Sequence, residues 1–182
     1  MNYTIFNINS LDRNQVKWED YLYKMTPVHV WDDLYLKRED TFAPLGYGGI
    51  NGAKLRQCIW LTNEYVNSGG VDGVISGASV LSPQLPMGSA VAHHYNLKSL
   101  HVIGATRPEV CMKKDMVKMA TWFNAEFYFI KVAYNPALQR KVKQLISGKY
   151  KNYYELNYGI AVNPKEKIKK IIEFHNLSGN QV

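Results

Sequence analysis

Short apolar runs alternate along this chain with amphipathic stretches of helical period, and that alternation restricts it to very few architectures. Val71 to Ile75, Ser99 to Ile103 and Phe127 to Ile130 are brief and rich in strand-favouring residues. Between and after them, Met87 to Tyr95, Val110 to Phe123 and Pro136 to Ile146 repeat apolar residues at helical spacing, the last closed by Ser147-Gly148. Strands joined through helices pair in parallel, because the crossover returns each strand in the same direction. The expected fold is therefore α/β, a three-layer α/β/α arrangement on a mostly parallel sheet. Upstream, Asn14 to Tyr23 reads as a helix, Pro27 to Trp31 as extended chain and Leu34 to Lys37 as a strand. Sheets of this kind bind ligands beyond the carboxyl ends of their strands. The loop Ser76 to Gln84 leaves one such end, and Gly104 to Pro108 turns at another.

The run Leu45-Gly46-Tyr47-Gly48-Gly49-Ile50-Asn51-Gly52-Ala53-Lys54-Leu55-Arg56 carries the densest chemical information. Four glycines within seven positions make an irregular, closely approachable backbone, and the periodic stretch that follows reads as a helix. Lys54 thus stands at a loop-to-helix junction, where an amine can be offered to a carbonyl as a nucleophile. On spacing alone a solvated first-turn lysine is the commoner case. Tyr47, an aromatic within the glycine loop, either covers a ligand or packs down.

Wider context changes that balance. Leu34-Tyr35-Leu36-Lys37-Arg38-Glu39-Asp40, the glycine loop and Gly52-Ala53-Lys54-Leu55-Arg56 together resemble the N-terminal signature of the fold-type II pyridoxal-phosphate enzymes. Val74-Ile75-Ser76-Gly77-Ala78-Ser79-Val80-Leu81-Ser82-Pro83-Gln84, with the helix after it, looks like the same superfamily's strand, cofactor loop and helix. Met112 to Ile130 resembles the helix and strand that follow. The pattern is similar to the tryptophan synthase β subunit and, most of all, to the aminocyclopropane-carboxylate deaminase and D-cysteine desulfhydrase group. The resemblance implies pyridoxal 5'-phosphate as cofactor and Lys54 as its Schiff-base lysine and α-proton base. It implies Ser79 and Gln84 beside the cofactor, and Ser82, Gln84 and Tyr47 facing a small amino-acid substrate, with Ser82 as a hydroxyl near the reacting carbon. The chemistry implied is that of a lyase or deaminase.

Two departures qualify this. Pro83 stands where that group has an asparagine that bonds the cofactor's ring hydroxyl, and proline offers neither an amide side chain nor a backbone donor. The family's phosphate loop belongs to the second half of its fold, whereas this resemblance covers about the first half, ending with the return strand Tyr154 to Ile160 and a helix from Pro164 to Phe174. On that correspondence residues 1–56 and 155–182 form part of the large cofactor lobe and 57–154 the small lobe. The alternative is a non-catalytic half-length homologue serving as a binding or assembly subunit, or one half of a split enzyme. Either way a homodimer or a complementary C-terminal-half chain is the expected partner.

Composition narrows the remaining classes. With 46% hydrophobic and 13% aromatic residues over 182 positions, the chain can bury a sizeable core. The net charge of +7 admits nucleic acid, an anionic cofactor or an acidic partner. Its lysines, however, fall at spacings of solvated helix faces and no RNA-binding signature or zinc-finger spacing joins them, which argues against a dedicated nucleic-acid site. Cys58 and Cys111 lack metal-ligand spacing and read as free thiols. His93-His94 point different ways on a helix and read as ordinary helix residues, while Lys37 to Asp40 read as a structural charge cluster. No membrane span or secretory signal is evident, so a cytoplasmic protein is expected.

Overall fold

The computed structural model describes Leu22, residues 26–46 and residues 50–162. The expected helices at 14–23 and 164–174 lie outside these residues, apart from Leu22, as do Tyr47, Gly48 and Gly49.

Four strands form a wholly parallel sheet: β3 (Gly73–Gly77), β4 (Lys98–Gly104), β5 (Glu126–Ile130) and β6 (Tyr154–Leu156), in the order β5-β4-β3-β6. Helix α1 (Ala53–Asn67) leads into β3, and α2 (Gln84–His94) leads out of it. A short α3 (Pro108–Cys111) and α4 (Asp115–Trp122) connect β4 to β5, and α5 (Asn135–Ile146) connects β5 towards β6. Both faces of the sheet are covered. On one side Leu138 and Val142 of α5 pack on Ile75, Leu100 and Val102. On the other, α1 and α2 enclose Val74 and Leu156, and Val117 and Ala120 of α4 close over Ile103. The expected three-layer α/β/α architecture is the one observed.

Helix α1 buries Leu55, Cys58, Ile59 and Thr62, the i, i+3, i+4, i+7 stripe of a helix with one dry face. It stops at Ser68-Gly69, where Gly69 takes φ of 92° and the N–H of Gly70 closes onto the carbonyl of Tyr65, the usual glycine-terminated helix end. Helix α2 begins at Gln84, earlier than the periodicity alone indicates. Pro86 falls in its first turn, where the missing N–H removes no intrahelical bond. The single helix expected over 110–123 is two pieces. Lys114 is extended (φ −76°, ψ 140°) and restarts the chain into α4, with Asp115 in the favourable first turn.

Outside the sheet, β1 (Val28–Trp31) and β2 (Leu34–Lys37) form an antiparallel hairpin around a two-residue turn in which Asp32 adopts φ of 50°. Val30, Trp31, Leu34 and Tyr35 are each more than 60% exposed, so this hairpin offers a large apolar surface. Among the described residues no helix is long and apolar enough to cross a membrane.

The sheet carries a buried polar pair at its centre. His101 on β4 lies opposite Ser76 on β3, and both are fully buried. Ser89 Oγ donates to the carbonyl of Leu85 at 2.8 Å, so it must accept from His101 Nε2 at 2.7 Å. That leaves Nδ1 as an acceptor for the Ser76 hydroxyl at 2.8 Å. The imidazole is thereby fixed as the neutral Nε2–H tautomer, and burial pushes its pKa down to about 4.

This arrangement makes folding stability depend on pH. A depressed native pKa means that the unfolded chain binds the proton first, so the contribution of His101 is complete above about pH 6.5 and is lost as pH falls towards 4. The full effect is about 3 kcal/mol. Urea unfolding between pH 7 and pH 4.5 should show the decline, and His101→Leu should abolish that slope while starting from lower stability.

Candidate functional site

Chain topology brings the Lys54 end of α1 and the Ser79–Gln84 loop to one edge of the sheet. Helix α2 starts where β3 ends, and α1 runs back against the same face before entering β3, so the N-termini of both helices lie at the carboxyl edge. The 3₁₀ turn Tyr158–Ile160, which follows β6 at that edge, packs against α1 and bonds to the first residue of α2. Neither helix has an acidic residue in its first turn, so the positive ends of both dipoles are uncompensated there.

Lys54 occupies the first turn of α1 and is exposed. Its position depends on Gly52, whose φ of 89° is open to glycine but strained for other residues, and whose N–H bonds the carbonyl of Phe42 at 2.9 Å. One turn on, Arg56 fastens the same helix end to the chain before it. Its guanidinium donates to the carbonyl of Leu22 at 2.7 Å, pairs with Glu39 at 3.4 Å and lies 3.8 Å over the ring of Phe42. Glu39 also accepts from the hydroxyl of Thr26 at 2.7 Å and pairs with Lys37 at 3.2 Å. The hydrogen bond from Thr26, with help from Lys37 and Arg56, holds this carboxylate below its usual range against the opposing effect of partial burial. Arg38 pairs with Asp40 at 2.7 Å. Within the charged run 37–40, Glu39 thus ties the Lys54 helix to the chain before it.

The loop itself is a succession of turns. Ser79 is exposed, and its hydroxyl accepts from the N–H of Leu81 at 3.3 Å. Ser82 is half-buried and accepts from the N–H of Gln84 at 3.2 Å. Leu81 stands 69% exposed between them. From Ala78 to Gln84 the loop contains no charged residue.

Gln84 is turned inward. Its side chain is 3% exposed, with Nε2 donating to the carbonyls of Asn157 (3.1 Å) and Leu156 (3.4 Å) and Oε1 accepting the N–H of Gly159 at 2.9 Å. In this arrangement the amide braces the turn after β6. Among the described residues no hydrogen bond or ion pair joins Lys54 to the loop, and Tyr47 lies outside them. Three of the five residues singled out from sequence, Ser79, Ser82 and Gln84, thus share one loop. Lys54 shares the sheet edge with them.

The sequence reading passed over a second feature of this edge. A cleft of about 440 Å³ lies beyond the carboxyl ends of β4 and β5, lined in part by Thr106, Arg107, Cys111 and Lys131. Its signal was the turn Gly104 to Pro108 at a strand end. Among the described residues no group of His, Cys, Asp or Glu is arranged to hold a metal ion.

No family profile matches the chain. It is, however, 45% identical over 191 aligned positions to the O-seryl-dTMP PLP-dependent decarboxylase of Salmonella phage ViI. That alignment takes in 98% of this chain and 45% of the phage protein, so the chain spans a little under half the length of the curated relative it matches.

The contrast between Gln84 and Ser82 is directly testable. Gln84→Ala leaves one part-buried N–H and two carbonyls without their side-chain partner, and should cost about 2 kcal/mol. Ser82→Ala loses a single local turn bond and should cost about 1 kcal/mol or less. Thermal melts of the two variants distinguish the brace from the loop hydroxyl.

Proposed function

We propose that this chain forms the Lys54-bearing part of a fold-type II pyridoxal-phosphate decarboxylase acting on an amino acid carried by a nucleotide. The observation that carries the proposal is the 45% identity, along nearly the whole chain, to an enzyme named for cofactor, reaction and substrate. The motif resemblance around Lys54 and the Ser79–Ser82 loop supports it independently.

The residues suit the cofactor's aldehyde end. Lys54 is an exposed amine on a helix end braced by Arg56 and Gly52, and the loop with its two serine hydroxyls meets the same sheet edge. Pro83 supplies no donor for the ring hydroxyl. When bound, pyridoxal phosphate supplies an electron sink for charge developing at the α-carbon of an amino acid. Lys54 is the residue that would hold it and that exchanges protons at that carbon.

The character of the loop is compatible with release of carbon dioxide. A carboxylate that is to leave as a neutral molecule is held back by a strong ion pair, because the pair stabilises the ground state more than the transition state. Ser79 and Ser82 can orient a carboxylate through neutral hydrogen bonds. A nucleotide-borne substrate is also consistent with a chain of net charge +7.

A second reading, in which the chain works only with a partner, rests on the hairpin. Val30, Trp31, Leu34 and Tyr35 leave an apolar surface that proteins usually cover. A second copy or a chain supplying the other half of the fold would cover it, and residues 1–56 with 155–182 would belong with that half. Light scattering at micromolar concentration should then report a dimer or a heteromer, and a stable monomer counts against this reading.

For the catalytic reading, protein mixed with pyridoxal phosphate should turn yellow, and borohydride reduction followed by peptide mapping should find the label on Lys54. Lys54→Ala should lose the label and lower carbon dioxide release from a seryl nucleotide by at least about a thousandfold. Undiminished labelling or turnover in that variant would overturn the assignment.

A further inference from the structure

We propose that the cleft at the carboxyl ends of β4 and β5 is a phosphate subsite, in which Arg107 and Lys131 hold the phosphate of the nucleotide that carries the reacting amino acid. This rests on the function proposed above and assigns the far end of the substrate. The cleft is built by close backbone approach. A side chain on Gly104 would collide with the backbone and Cβ of Ala133, so only glycine lets the segment after β5 close against the end of β4. The N–H of Ala105 bonds the carbonyl of Ile130 at 2.8 Å and fixes the two walls together. Each wall then contributes one cation, Arg107 from the first and Lys131 from the second, and Thr106 adds a hydroxyl.

Charge and position both favour a phosphate. Among the described residues neither cation forms an ion pair. Glu109, the nearest acidic residue in sequence to Arg107, does not line the cleft. A space of about 440 Å³ between two cations accepts a phosphate group with part of its nucleoside. The cleft also lies on the edge of the sheet that carries the Ser79–Ser82 loop and Lys54, so one extended substrate can reach from one to the other.

Cys111 lines this cleft and makes occupancy measurable without turnover. The chain's other thiol, Cys58, is fully buried, so a neutral alkylating reagent reports on Cys111. Thymidine monophosphate should slow alkylation of Cys111 in a saturable manner, whereas thymidine should not. Arg107→Gln and Lys131→Gln, both exposed positions, should each weaken protection about fivefold or more, with melting temperatures unchanged. Protection by a DNA duplex at lower concentration than the monophosphate also supports the subsite and identifies the polymer as its source of phosphate. The proposal is overturned if thymidine protects as well as its phosphate, if no phosphate compound protects, or if protection survives loss of both cations. It is overturned too if pyridoxal phosphate protects and thymidine monophosphate does not, since the cleft is then the cofactor's. Borohydride labelling of Lys54, run in parallel, separates the two ideas. Labelling without protection removes the subsite alone, and protection without labelling removes the decarboxylase reading alone.

Discussion

The side-chain amide of Gln84 ties the start of α2 to the backbone that follows β6. It sits in the first turn of α2, directly behind the loop, and reaches the backbone of Leu156, Asn157 and Gly159. It thereby reinforces the end of β6, a strand of only three residues that pairs with β3. The turn that follows carries Ile160, fully buried at a φ of 56°, an unfavourable conformation for a β-branched residue. Strain of that kind persists only where the surroundings enforce it. Gln84 on one side and the apolar packing around Leu55 and Ile59 on the other provide that enforcement.

The layered architecture was legible in the sequence because it follows from local period. Strand runs and helix runs alternate, and each keeps its identity whatever it packs against. The glycine-rich approach to Lys54 and the charge cluster at 37–40 were legible because they too are local. What escaped depends on partners far away. Gln84 looked like a residue awaiting a ligand because its own partners lie more than seventy positions along the chain. His101 was invisible, since one polar residue in an apolar strand reveals nothing until its neighbour on β3 and the helix above it are known. The break between α3 and α4 was missed because apolar spacing continues through it, while the backbone at Lys114 does not.

The carboxyl edge of the sheet divides electrostatically. The Ser79–Ser82 loop itself carries no charged side chain, only hydroxyls and aliphatic side chains. At the ends of β4 and β5 the edge is cationic. Arg107 and Lys131 come from the segments that follow β4 and β5, and turns at strand ends are where an α/β sheet meets its ligands. A uniform positive field would attract an anion without orienting it, whereas a neutral patch beside a charged one imposes a direction.

The line from Ser76 through His101 to Ser89 bears on how the sheet assembles. In a parallel sheet covered on both faces, a strand that slips by one residue exchanges one apolar face for another, so hydrophobicity alone punishes the error weakly. Here β3 is buried along its whole length. A slip would set the Ser76 hydroxyl opposite Leu100 or Val102 and strand a buried imidazole without its acceptor and donor, a cost that apolar contacts could not recover. The three side chains therefore favour one alignment of β3 and β4 over its neighbours by satisfying each other's polar groups only in that register.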